Sequence, residues 1–166
     1  MVPLLPLLSI SLDRSVSDLQ YLFSIYVIGL AVSQPLFGLV TDRIGRRPVL
    51  LWGFAVFVGA SILLIFVDTL GAMIFLRFMQ AVGVGVGTVV ARGLIRDHLP
   101  PDEALKAFAL LTAAMGFTPV IAPVVGGYLA SLLGMASVFV VLALLGAGLL
   151  LLCVKYIPYE DPFDRD

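Results

Sequence analysis

The chain has 166 residues, of which 61% are hydrophobic and only 13% are charged, and its mean hydropathy is +1.12. Soluble domains carry about 25% charged residues, so this composition predicts an integral membrane protein. The net charge is −1 and the arginines cluster in short loops rather than on one basic face, which excludes a nucleic-acid-binding surface. Cys153 and His98 are single residues of their type without metal-ligand spacing, and no nucleophile–base set occurs. We therefore expect no metal site and no enzyme.

The first span is expected to be incomplete. Residues 1–12 are apolar, but a helix of that length extends only about 18 Å, against about 30 Å of hydrocarbon. We interpret this stub as the outer end of a first span whose beginning is absent, followed by a polar loop at residues 13–18. Residues 19–40 are 22 uncharged residues and form the next span.

The span 19–40 contains small residues suited to helix packing and polar residues that are candidates for a cavity. Gly29 and Ser33 lie four residues apart and present a small face for close contact with another helix. Tyr26 and Gln34 are its polar side chains. Each could face a cavity or bond to a neighbouring helix.

A basic stretch, GLVTDRIGRR at residues 38–47, contains one acid, three arginines and two glycines. The segment after it, residues 48–67, is again uncharged and long enough to cross a bilayer. We expect a tight hairpin of six residues that lies in the cytoplasm, where short loops rich in Lys and Arg remain. The simplest interpretation is a loop that only sets the topology.

The spacing G-x-x-x-D-R-x-G-R-R resembles the loop signature between the second and third helices of the major facilitator superfamily. The matching residues are Gly38, Asp42, Arg43, Gly45, Arg46 and Arg47. We expect Gly38 to allow a close approach of helix ends and Gly45 to permit a turn. The resemblance implies an all-α integral membrane fold, namely the first six-helix bundle of a two-bundle carrier that alternates access around a midplane site. The first helix is then truncated and the second bundle is absent.

Residues 70–95 form the next span and contain Arg77. Arginine near a helix centre costs about 2.5–3.5 kcal/mol on insertion scales, unless the side chain snorkels outward. Gln80 shares a helical face with Arg77, and the run LRFMQAVG at residues 76–83 resembles the superfamily's fourth-helix signature. The resemblance implies that Arg77 contributes to proton or substrate coupling, with a proton gradient and no cofactor.

Two further features belong to the same span. Gly83, Gly87 and Ala91 form a stripe of small residues that predicts a packing seam with another helix. Asp97 follows the span, and the resemblance places it beside the basic hairpin, where it could pair with Arg46. The alternative is an exposed acid at a helix end.

Residues 107–154 are 48 residues without a charge, which is too long for one crossing. We expect the chain to turn back near Gly134 and to form two spans, at residues 107–131 and 135–156. Residues 158–166 form an acidic tail that we interpret as the start of the linker between bundles.

The span 107–131 resembles the fifth-helix signature of the superfamily's drug/proton antiporters. Pro123, Gly126 and Gly127 match this signature, whereas Thr118 and Ala122 stand where glycines are usual. Small residues four apart, such as Ala122 and Gly126, invite another helix to pack closely. With Arg96–Asp97 and the N-terminal prolines, this segment resembles the bicyclomycin-resistance subfamily.

The cations predict the orientation of the chain. Six fall in loops on the side of the basic hairpin, namely Arg43, Arg46, Arg47, Arg96, Lys106 and Lys155, against Arg14 alone on the other side. This asymmetry predicts a multi-pass protein of the inner or plasma membrane with its basic loops in the cytoplasm.

Three functions compete on this evidence. The first is part of a proton-coupled secondary transporter that exports drugs or small molecules. The second is a sugar or metabolite porter of the same superfamily, and the third is a truncated, non-transporting membrane or assembly protein. The expected partners are the lipid bilayer, a small-molecule substrate, and the missing C-terminal bundle or a partner chain.

Overall fold

A computed structural model describes residues 16–157, and these residues form five helices without a β-strand. The helices are α1 (Val16–Ile44), α2 (Arg46–Leu63), α3 (Leu70–His98), α4 (Pro101–Leu133) and α5 (Met135–Tyr156). All five are long and apolar enough to cross a membrane. The all-α membrane fold predicted from the sequence is confirmed. The predicted stub at residues 1–12 and the tail at 158–166 lie outside the described residues.

The basic hairpin is tighter than the sequence predicted. Helix α1 continues through Asp42 and Arg43, so one residue, Gly45, connects α1 to α2 in place of the expected six-residue loop. Gly45 has a φ of 94°, which favours glycine because a side chain would be strained there. Its N–H donates to the carbonyl of Thr41 at 3.0 Å and closes the last turn of α1. The turn expected at Gly45 is therefore present.

The predicted span at residues 48–67 extends beyond the helix, because α2 ends at Leu63. The N–H groups of Ile65 and Phe66 donate to carbonyls three residues back, at 3.1 Å each. Such bonds tighten the chain into a turn and end the α-helical pattern. Residues 64–69 then connect α2 to α3.

Helix α4 begins earlier than the predicted span, at Pro101, where the missing N–H of proline costs no helical hydrogen bond. It continues through Pro119 and Pro123 to Leu133 as one helix. Gly134, with a φ of 81°, joins α4 to α5 at the predicted turn.

Helix α3 packs against α1 through small side chains. A Cβ placed on Gly29 would lie 2.8 Å from the Cβ of Ala81, so the two helices touch nearly backbone to backbone. Ser33 is fully buried and lies against Gly85 of α3. The close contact that the sequence predicted at Gly29 and Ser33 is confirmed.

Helices α2 and α3 approach even more closely. A Cβ on Gly83 would lie 2.6 Å from the carbonyl oxygen of Gly53 and 2.7 Å from the backbone nitrogen of Phe57. One turn further, a Cβ on Gly87 would lie 3.2 Å from the ring of Phe54. The seam predicted for the stripe of small residues in α3 is confirmed at Gly83 and Gly87.

The remaining two helices are attached differently. Helix α5 packs against α2, where Gly146 lies directly on the ring of Phe57. Helix α4 touches α3 and α5 only along an edge, and none of its residues is buried. The described bundle therefore has its core between α1, α2, α3 and α5.

Replacing Gly83 with alanine is expected to destabilise the chain, because the atoms that the new methyl group meets belong to the backbone of α2. Overpacking a well-packed position costs about 1–3 kcal/mol. The matched control is Gly59→Ala on α2, where an added Cβ meets nothing within 4 Å. Thermal unfolding of both purified variants in one detergent measures the effect. Equal unfolding temperatures for the two variants would contradict this account of the seam.

Candidate functional site

Arg77 is the cation that lies farthest inside a described span, about two turns after α3 begins. Its Nη1 donates a hydrogen bond to Oε1 of Gln80 at 3.0 Å. Gln80 has no exposed surface, and its Nε2 donates to Oγ of Ser61 on α2 at 2.7 Å. The hydroxyl of Ser61, also fully buried, donates to the carbonyl of Phe57 at 2.7 Å.

This chain of hydrogen bonds has a defined direction. Ser61 donates its single hydroxyl proton to the carbonyl of Phe57. Its oxygen can therefore only accept the hydrogen bond from Gln80. The amide of Gln80 must then turn its NH₂ group to Ser61 and its carbonyl to Arg77. A neutral side chain therefore anchors the guanidinium without neutralising it.

Residues of two further helices meet at the same guanidinium. Its Cζ lies 4.9 Å from the centroid of the Phe139 ring on α5, and Phe139 is 3% exposed. At this distance the ring attracts the cation by about 0.5–2 kcal/mol. Tyr26 of α1 is half-buried and close enough to interact electrostatically with Arg77. Arg77 thus has a hydrogen-bond partner on α3, an aromatic ring on α5 and an electrostatic partner on α1.

The unused N–H donors of this cluster suit an anion. A guanidinium carries five N–H donors and does not lose its proton in proteins. One Nη1 donor serves Gln80, and the others suit a carboxylate or phosphate. Every described acid lies at a helix end or in a connection: Asp18, Asp42, Asp68, Asp97, Asp102 and Glu103. A carboxylate partner for Arg77 is thus not supplied by the inner turns of the described helices.

The sequence identified part of this cluster. Arg77, Gln80 and Tyr26 come together, whereas Gln34 is exposed, lies about two turns further along α1 and forms no hydrogen bond with a described residue. Ser61 and Phe139 were missed. A hydroxyl in an otherwise apolar span was an available signal for Ser61, but nothing distinguishes Phe139 from the other 10 phenylalanines of the chain.

A second polar cluster lies at the basic hairpin. Arg46 forms an ion pair with Asp97 through Nη2 and Oδ2, so the contact expected between these residues is present. The side chain of Arg46 is 8% exposed and that of Asp97 is 39% exposed. Nε of Arg96 donates to the other carboxylate oxygen at 3.1 Å. Asp97 thus joins the start of α2 to the end of α3.

Other residues of the loop signature differ from expectation. A Cβ on Gly38 would meet nothing within 4 Å, so the close approach expected there is absent among the described helices. Asp42 and Arg43 are exposed, and Asp42 forms no ion pair with a described residue, because it lies on the outer face of α1. Nη2 of Arg47, by contrast, donates to the carbonyl of Val154 near the end of α5 at 3.1 Å.

The candidates on α4 stand apart from both clusters. They are Thr118, Ala122, Pro123, Gly126 and Gly127, and all lie on a helix without buried residues. A Cβ on Gly126 or Gly127 would meet nothing within 4 Å, and the hydroxyl of Thr118 bonds within its own helix at 2.7 Å. No described helix packs on this small-residue stripe.

Comparison with known proteins gives the class of this chain. The profile of the Major Facilitator Superfamily matches residues 1–166, and the chain belongs to this superfamily. It is therefore a multi-pass membrane polypeptide of a transporter family and not an enzyme.

Individual relatives are similar along most of the chain. Multidrug resistance protein MdtL of Escherichia coli O45:K1 is 34% identical over 158 residues, which are 95% of this chain and 40% of the relative. Multidrug resistance protein D of Escherichia coli K12 is 32% identical over 145 residues, or 87% of this chain and 37% of the relative. An uncharacterized transporter of Rickettsia bellii is 33% identical over 147 residues, which are 89% of this chain and 36% of the relative. The chain spans about two fifths or less of the length of these relatives.

A double-mutant cycle is expected to detect the pair of Arg46 and Asp97. Each alanine substitution alone breaks the pair, so the double variant should lose less stability than the sum of the two, by about 0.5–3 kcal/mol. The free energy of unfolding in one detergent is the measured quantity.

The matched control for this cycle combines Arg46→Ala with Asp42→Ala. Asp42 lies in the same hairpin but has no ion pair with a described residue, so this cycle should be additive. Additive losses for Arg46 and Asp97 would show that their contact contributes nothing to stability.

Proposed function

We propose that this chain is part of a proton-coupled secondary transporter that exports drugs or other small molecules by alternating access. The observation that carries the proposal is Arg77, a cation inside a membrane span that is anchored by Gln80 and keeps further N–H donors for an anion. The names of two matched relatives, both multidrug resistance proteins, support export of drugs.

The environment of Arg77 favours a functional role over snorkelling. A snorkelling side chain extends along its helix towards water and needs no fixed polar partner inside the span. Arg77 instead bonds to a fully buried amide and lies on a buried ring. Buried polar groups are costly in a membrane, and here they hold this cation inside the bundle.

Arg77 can link transport to protons through a carboxylate. A nearby cation stabilises the charged form of a carboxyl group and lowers its pKa, so protonation and pairing with the cation compete. We infer that this carboxylate lies in a part of the transporter outside the described residues or on the substrate. Release of the carboxylate on protonation would then accompany the change of access.

The exposed stripe on α4 suits contact with a second bundle. Small side chains allow a close approach of helices in membranes, where packing rather than hydrophobicity drives association. The matched relatives are more than twice as long as the region they share with this chain. We infer that a helix of the second bundle packs on Ala122, Gly126 and their neighbours.

Substitution of Arg77 in the intact transporter tests the proposal. Arg77→Lys keeps the charge and should retain part of the transport driven by a pH gradient, whereas Arg77→Ala should abolish it. Uptake of a fluorescent cationic drug into inside-out vesicles, measured over a range of pH, gives both results. Lys106→Ala removes an exposed cation and serves as the matched control. Transport by Arg77→Ala with unchanged pH dependence would refute the coupling role.

The proposed location is the cell membrane with the basic hairpin in the cytoplasm. In a Cys153→Ser background, Ile44→Cys should react with an impermeant maleimide only after the cells are permeabilised. Phe66→Cys, on the connection between α2 and α3, should react in intact cells. Both positions are well exposed, at 56% and 75%. Labelling of Ile44→Cys in intact cells would show the opposite orientation and contradict the proposed one.

A further inference from the structure

An apolar groove runs between α2, α3 and α5 at the end of the bundle that carries the basic hairpin. Its volume is about 350 Å³, within the roughly 300–1,000 Å³ of small-ligand sites. The wall is almost entirely hydrocarbon and includes Leu50, Phe54, Val90, Leu94, Leu152 and Tyr156. None of the polar residues assigned to transport above lines it.

Two cations stand at one end of this groove. The ammonium group of Lys155 lies 5.1 Å from the centroid of the Tyr156 ring, which is part of the wall. Arg47 reaches the same place, because its Nη2 donates to the carbonyl of Val154, next to the lining residue Cys153. The groove is therefore apolar along its length and positively charged at its end.

The charged end of the groove contains buried N–H donors without a hydrogen-bond partner. Nε of Arg47 is buried and has no hydrogen-bond partner among the described residues. The same holds for Nη1 of Arg46, whose side chain is 8% exposed and which lies one helical turn before Leu50. Buried donors without a partner are rare in folded proteins and call for an acceptor. An anion beside the half-buried Arg47 would supply one to that side chain.

We propose that this groove holds one acyl chain of an anionic phospholipid of the bilayer, with the lipid phosphate beside Arg47 and Lys155. The hydrocarbon wall matches an acyl chain, and arginine binds phosphate through paired N–H donors. Basic side chains at a membrane surface attract anionic lipids. The groove lies between spans, so a lipid can enter it from the surrounding bilayer. A soluble phosphate would satisfy the cations but leave the apolar wall uncovered.

Native mass spectrometry of the purified 166-residue chain tests the proposal. The chain is released from detergent micelles that contain phosphatidylglycerol or phosphatidylcholine with identical acyl chains. One phosphatidylglycerol should be retained, on the order of tenfold more strongly than phosphatidylcholine, because two cations favour its net charge. Equal retention of the two lipids, or retention of neither, would overturn the proposal.

Two pairs of variants separate the charged end from the apolar wall. Arg47→Gln with Lys155→Gln should reduce retention of phosphatidylglycerol to that of phosphatidylcholine. Arg92→Gln with Lys106→Gln removes two exposed cations elsewhere and should not. Ala91→Phe, at a lining position, should lower retention of both lipids. Its control, Ala109→Phe, changes an exposed position on α4 and should leave retention unchanged.

A measurement on the unmodified chain does not depend on whether the variants fold. Phosphatidylglycerol with a photoreactive diazirine at the middle of its acyl chain is crosslinked to the chain in vesicles. The adducts should concentrate on peptides of α3 and α5 that contain Leu94 and Leu152. The same probe on phosphatidylcholine should label exposed helix faces more evenly. Adducts of the anionic probe spread evenly over α4 and the other helices would contradict a specific site.

Discussion

The backbone contact between α2 and α3 at Gly53 and Gly83 is the constraint on which the rest of the bundle depends. The carbonyl oxygen of Gly53 occupies the space that a Cβ on Gly83 would need, 2.6 Å away. This approach brings Ser61, about two turns along α2, within 2.7 Å of Gln80, about one turn back along α3. A wider separation of the helices would remove the acceptor of Gln80, and with it the anchor of Arg77.

The same antiparallel pair of helices carries the two polar clusters at opposite ends. The Gln80–Ser61 bond lies towards the end of α2, whereas the ion pair of Arg46 with Asp97 joins the start of α2 to the end of α3. Arg77 and Asp97 are 20 residues apart on one helix, or about 30 Å. Any shift of α2 along α3 would therefore disturb both clusters.

The sequence predicted those features that depend on one helix at a time. Lengths of uncharged residues gave the five spans, and the spacing of small residues gave the packing faces around Gly29 and Gly83. Contacts between helices were harder to predict, because the register of α2 against α3 is not encoded in either helix alone. Ser61 was therefore missed as the acceptor of Gln80. Helix ends were also misjudged at the basic hairpin. Charged residues such as Asp42 can continue a helix, and Gly38 is small without having a neighbour to accommodate.

The stability of Ser61→Ala tests the central claim most directly, namely that the contact of α2 with α3 anchors the polar cluster around Arg77. Loss of the hydroxyl leaves the buried NH₂ group of Gln80 without its acceptor, which should lower the free energy of unfolding by about 1–3 kcal/mol. Ser131→Ala is the control, because this exposed hydroxyl bonds only to a carbonyl of its own helix. Measured in one detergent, a loss confined to Ser61→Ala is the predicted result, and equal stability of the two variants would contradict the account.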